Sequence, residues 1–279
     1  INDPAERLRL AHLNLKAGKK AKASAAYDGA VCFLRHSTEL LPENCWPQHY
    51  DLTLDVFSTL AECEYLAIDF ESANQSYVAV YANANSILDK IPVYHIQIRQ
   101  MASEQKAGDA FQLGFDILNE LGLALPAPDA PHAIEAAFQS QLEEYQQLLG
   151  KRKIAELYDL DEMTDRNMIE ALRLISNLGD IAIAMKGEML PLMSILGANL
   201  SLKYGNLDVS AISYVMMGVI TNLAFRDYKT GYELGQLALK LCQQKFKSDL
   251  IFGKVGAFYG WNINHWLFHV KKDLNFAKA

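Results

Sequence analysis

Two pairs of residues have the types and spacing to do chemistry. Cys45 and His49 lie four apart in "LLPENCWPQHYDL". They could be two metal ligands, with Cys63 or His36 approaching in space. Structural zinc needs four ligands, commonly supplied as short-spaced pairs, and no second pair lies nearby in sequence. The reading preferred on residue types is a corner between helical hairpins, bracketed by Pro42 and Pro47, with Trp46 packed as its anchor. His265 and His269 in "NHWLFH" are also four apart and would share one helix face. Zincins use this spacing with a glutamate after the first histidine. Trp266 stands there instead, so the general base is missing, and two histidines fall short of a catalytic zinc set. Partly buried, hydrogen-bonded histidines are expected. Trp46, His265, Trp266 and His269 remain candidates for a contact surface, and no catalytic, cofactor or metal residue is assigned.

Other chemistries lack their sequence signatures. A di-iron bundle needs Glu-x-x-His, and no glutamate is followed by histidine three positions later. The phosphate loop ends in Gly-Lys-Ser/Thr, whereas Gly18-Lys19, Gly150-Lys151 and Gly253-Lys254 lack the hydroxyl residue. No GxSxG elbow is present. Glu143-Glu144 and Asp161-Glu162 are adjacent pairs, which on a helix point apart. They read as solvated charge.

The 279 residues carry 33 acidic and 26 basic side chains, a formal charge of −7. That balance opposes nucleic-acid and anionic-membrane surfaces. Short basic runs at 16–22 and 151–153 keep an RNA-binding helical repeat open as an alternative. Four scattered cysteines without CxxC pairing suggest a reducing cytoplasm. The chain starts at Ile1 without a signal peptide and suggests an excised piece of a larger protein. The longest uncharged run, Val209 to Phe225, is shorter than a membrane span and contains hydroxyl and amide residues. A buried core helix is expected, without membrane insertion.

The elements that position these residues read as helices nearly throughout, with apolar residues at three- and four-residue steps. Asp3, Pro4 and Glu6 form a strong helix start. Gly18 is expected to end that helix, and a second is expected over 20–41. Gly18, Ala30, Leu34, Ser37 and Pro42 match the spacing of a degenerate tetratricopeptide repeat. Further pairs are expected at "YDLTLDVFSTLAECEYLAI" with "DFESANQSYVAVYANANSILDK", and at "PVYHIQIRQMASEQKA" with "GDAFQLGFDILNELG". These place turns near 18, 69 and 107, an irregular spacing. "GLALPAPDAP" over 122–131 breaks the pattern with three prolines, separating N-terminal pairs (1–125) from C-terminal pairs of the same superhelix (126–279). Helices are then expected over 131–149, 165–186, 188–204, 208–225, 227–245 and 249–271. Gly231 and Gly235 are expected at a tight helix–helix contact. The fold class is all-α, an irregular TPR-like α-α superhelix, a solenoid of antiparallel helix pairs.

"LLPENCWPQHYDLTLDVFSTLAECEYLAIDFESA", "LSLKYGN", "GYELGQLALKL" and "NHW" resemble the helical segment of very large multidomain signalling kinases. In that family a Ser/Thr-kinase-like domain and an AAA/STAND-type ATPase precede such a region, and a GAF domain and usually a histidine kinase follow it. The resemblance implies no catalytic residue within this segment. It implies a regulatory, scaffolding role, with neighbouring domains, another protein or a small effector as partner, and no cofactor. A stand-alone helical metalloenzyme using Cys45/His49 or His265/His269 is the alternative from another class.

Overall fold

The computed structural model describes residues 3–185 and 187–268. Among these, every regular element is helical, and one isolated bridge joins Glu162 and Asn206. The chain divides into two compact units, residues 1–106 and 107–279.

In the first unit, α1 (Pro4–Ala23) is started by Asp3, whose carboxylate accepts from the Ala5 amide, with Pro4 at the first helical position. Gly18 does not end this helix, and α2 (Tyr27–Leu40) starts later than its pattern suggested. The glycine is buried in mid-helix, where an added Cβ would stand 2.7 Å from Leu34 Cγ. Its lack of a side chain serves close approach of α1 and α2. The turn falls instead at Ser24–Ala26, with Ala25 left-handed at φ 56°. The two helices are antiparallel: Ser37 Oγ donates to the Ala11 carbonyl and Arg7 reaches the Glu39 carbonyl.

After the short α3 (Cys45–Gln48) come α4 (Tyr50–Leu66) and α5 (Phe70–Asn83), a second packed pair. Asp69 caps α5 by accepting from the Ser72 amide. The next break lies at 84–86, not at Pro92. Ser86 caps α6 (Ile87–Ser103), so Pro92 sits inside a helix that its sequence suggested it would begin. α2 packs on α4, and α4 on α6.

In the second unit, α7 (Ala107–Glu120) packs on α9 (Arg166–Met185), and α8 (Pro131–Leu149) packs on α10 (Leu190–Tyr204). The expected third pair, α6 with α7, falls on opposite sides of the division between the units. The uncharged run becomes α11 (Ser210–Ile220) followed by a π-helical turn, Thr221–Phe225. Residues 210–219 are buried throughout, as a core helix requires. α12 (Tyr228–Lys240) ends in a second π turn, Leu241–Phe246, before α13 (Asp249–Asn262). Gly231 and Gly235 are buried on α12, and a Cβ on Gly235 would meet the Tyr259 ring of α13 at 2.5 Å.

The segment between α8 and α9 is held by buried polar contacts. Asn206 donates its amide to the Leu157 carbonyl and accepts from Tyr214, and its backbone pairs with Asp161 and Met163. Lys245 donates to the carbonyls of Tyr158 and Leu160.

A register recurs along the chain. Gly18 is followed by Ala30, Leu34 and Ser37, which lie twelve, sixteen and nineteen residues further on. The same steps lead from Ala61 to Ala73, Tyr77 and Val80, and from Ile98 to Ala110, Gly114 and Ile117. They lead again from Val219 to Gly231, Gly235 and Ala238. All sixteen positions are buried. Seven residues after each starting position the backbone is left-handed, at Ala25, Ile68, Gln105 and Arg226. At the first three turns the following amide bonds the carbonyl five residues back, the closure of a Schellman motif. After the π turn the Asp227 amide reaches six residues back, to Thr221.

Candidate functional site

α4 and α6 run side by side in the same sense. Tyr50, the first residue of α4, donates its hydroxyl to Asp89 in the first turn of α6 at 2.9 Å. About three turns further along each helix, Glu62 and Arg99 line the same groove. α1 lies along the other edge of α4, where Lys19 pairs with Asp55 at 2.5 Å and Lys22 with Glu62 at 2.7 Å. Between these edges is a groove of about 630 Å³. Leu54, Leu88, Pro92 and Ile96 give it an apolar floor, with Thr59 and His95 among them.

Charges at the groove are of two kinds. Lys19, Lys22, Asp55 and Glu62 neutralise one another. Asp51 and Asp89, at the start of α4 and α6, make no ion pair among the described residues: the Asp89 carboxylate accepts from the Tyr50 and Ser86 hydroxyls, and its backbone amide donates to Ser86, which caps α6. At the far end Arg99 donates Nε to the His95 carbonyl and makes no ion pair among the described residues. The lysines of the basic run 16–22 that could have formed an RNA-binding strip are partly consumed by these acidic partners.

Behind the groove a polar clamp ties α2 to α4 and α5. Glu64 is only 3% exposed on its side chain and accepts from Arg35 at 2.9 Å and from Ser76 at 2.7 Å. Arg35 also reaches Asp69 at 2.9 Å. These carboxylates raise the guanidinium's affinity for its proton, Glu64 most strongly. Hydrogen bonds from Ser72 and Arg35 hold the Asp69 carboxyl below its ordinary range.

Cys45 opens α3 in a buried position, and Cys63 belongs to the same apolar cluster, with Leu34 and Val56. Burial pushes the Cys63 thiol up to about 11. Trp46 is half-buried at the corner and stacks on Phe57 at 5.5 Å. His36 lies on the exposed side of α2, donating Nδ1–H to the Cys32 carbonyl. Among the described residues no group of three or more His, Cys, Asp or Glu side chains is placed to hold a metal. His265 lies in a short 3-10 turn after α13, against Trp266, whose ring stacks on Tyr228 at 4.8 Å. His269 lies outside the described residues. Trp46 and Trp266 therefore belong to different units. The sequence does not reveal the groove on α1, α4 and α6, because a terminating Gly18 would end α1 before Lys19 and Lys22, which the helix in fact carries.

A second cavity, about 430 Å³, lies in the other unit beside α8 and α10. There Asn199 donates to the Gln141 backbone and side-chain oxygens. Lys203 pairs with Glu144 at its rim.

No helix of the described residues is long and apolar enough to cross a membrane. The chain is similar to "Hybrid signal transduction histidine kinase G" of Dictyostelium discoideum, with 20% identity over an alignment of 308 residues. That alignment takes in 100% of this chain and 9% of the kinase, so the chain corresponds to a small part of the relative's length. No protein-family model matches the chain, and no solved structure matches it.

Proposed function

We infer that this chain is a helical-repeat interaction module of a multidomain signal-transduction protein, which binds a protein segment in the groove on α1, α4 and α6. The groove carries the reading. Three helices that each hold the first position of the recurring register, at Gly18, Ala61 and Ile98, present one continuous face of mixed apolar and charged residues. The recurring register supports a TPR-like arrangement of stacked antiparallel pairs, and stacked pairs form extended binding surfaces. The similarity to a hybrid histidine kinase supports a signalling context. In that setting the module acts as a scaffold that relays a signal to neighbouring domains by binding them or another protein.

Selection of random peptides on the purified chain tests the reading, with Pro92→Arg as the groove-blocking variant. Pro92 is exposed, so the added side chain fills the groove without entering the core. Peptides that bind the unaltered chain and lose roughly tenfold or more in affinity for Pro92→Arg support it, a loss of about 1.4 kcal/mol. An empty selection, or peptides indifferent to the substitution, overturns it.

A further inference from the structure

The charges left over at the groove are ordered, and their order names the chemistry of an occupant. We propose that the groove selects an extended, bipolar peptide segment, with one basic and one acidic side chain flanking a short apolar stretch. This rests on the groove being a peptide site. Lys19 with Asp55, and Lys22 with Glu62, are matched within the protein. What remains is Asp51 and Asp89 at one end and Arg99 at the other, with Leu54, Pro92 and Ile96 between.

Asp89 and Arg99 are ten residues apart on one helix, a rise of about 15 Å. An extended chain covers about 3.3 Å per residue. The complementary charges therefore stand four to five residues apart on the ligand. A peptide with two like charges at that spacing brings one of them against a like charge of the groove, at a cost that an apolar floor does not offset. The rule does not depend on the direction of the peptide chain, since either direction can put a cation at the aspartates.

The test uses three fluorescent peptides with a common apolar centre and termini blocked: Lys-x4-Glu, Lys-x4-Lys and Glu-x4-Glu. Anisotropy titrations are run against the full chain and against Arg99→Glu and Asp51→Lys. Both substituted positions are exposed, and circular dichroism reports whether each variant keeps its helices. The unaltered chain is expected to bind the mixed peptide best, by roughly fivefold, the size of one exposed ion pair. Arg99→Glu should shift the preference to Lys-x4-Lys, and Asp51→Lys, which leaves Asp89 in place, should weaken the preference for the mixed peptide over Glu-x4-Glu. Binding that is lost in Pro92→Arg yet indifferent to these charges overturns the bipolar rule and leaves the groove standing. Binding unaffected by Pro92→Arg, or no binding of any of the three peptides, overturns the rule itself.

Discussion

At the residue scale, the turns carry unusual backbone. Among the described residues, five other than glycine are left-handed: Ala25, Ile68, Gln105, Arg226 and Lys247. Ile68 is the most strained by type, because a β-branched side chain crowds the backbone at φ 64°. It is also 76% exposed and so contributes little burial in return. Replacing it with glycine should stabilise the fold by about 0.5–1 kcal/mol, after the entropy glycine adds to the unfolded chain is counted. Urea unfolding would show a higher midpoint, and a lower one would contradict the reading. The caps give a pH dependence. Asp69 and Asp227 both have carboxyls held below the ordinary value of 3.8, first by side-chain hydrogen bonds from Ser72 and Thr230. A carboxyl with a native value below its unfolded one adds stability that is complete above about pH 4. That stability is lost as pH falls from the ordinary value through the native one. Asp69→Asn should therefore flatten the acid limb of a stability-against-pH curve, while leaving the slope above pH 5 unchanged. The thiols divide by burial. Cys32 is exposed and Cys45, Cys63 and Cys242 are buried, with Cys242 pushed up to about 12 by desolvation. A thiol reagent should titrate one cysteine in the native protein and four after denaturation. Fast native reaction of a second would place Cys45, Cys63 or Cys242 at a surface.

At the element scale, two contacts decide how helices meet. Gly235 lets α12 lie against Tyr259 of α13. Gly235→Leu should cost roughly 1–3 kcal/mol by overpacking, read as a fall in melting temperature, and an unchanged value would refute the contact. The Arg35–Glu64–Ser76 clamp joins α2, α4 and α5. Arg35→Met strands a buried carboxylate and should cost about 3 kcal/mol. Adding Glu64→Gln to that variant should recover part of the loss, since a neutral amide needs no countercharge. If the double variant is no more stable than the single one, the carboxylate's charge is not what Arg35 offsets. Several elements were legible in the sequence. α8 occupies the whole range that the proline at its start suggested, and α4 begins at Tyr50 where apolar periodicity resumes after Pro47. The first turn lies seven residues beyond its expected place for one physical reason. Glycine near a helix end signals a left-handed residue, but glycine also removes a side chain where two helices touch, and a single sequence cannot separate these uses. Gly18 does the second, under Leu34. The actual turn uses Ala25, which carries no turn signal.

At the scale of the whole molecule, the burial of Gly18 inside α1 moves the first turn to Ala25. Turns near 18, 69 and 107 would give a less even spacing than the chain has. With left-handed residues at 25, 68 and 105, the spacing tightens, and the same steps between buried positions recur around four turns of the chain. The candidate contact residues chosen by type, Trp46, His265 and Trp266, stand on two separate units, where Trp46 packs on Phe57 and Trp266 on Tyr228. The groove was not chosen, because its residues are ordinary ones on three helices far apart in sequence. What the sequence by itself determined was helical class, cap residues and most helix bounds, because these depend on neighbours within one or two turns. Only the tertiary structure decided which charges are matched and which are left over. Lys22 meets Glu62 across forty positions of chain and Arg99 meets no acid among the described residues, and such pairing is set by how helices pack, not by their local periodicity.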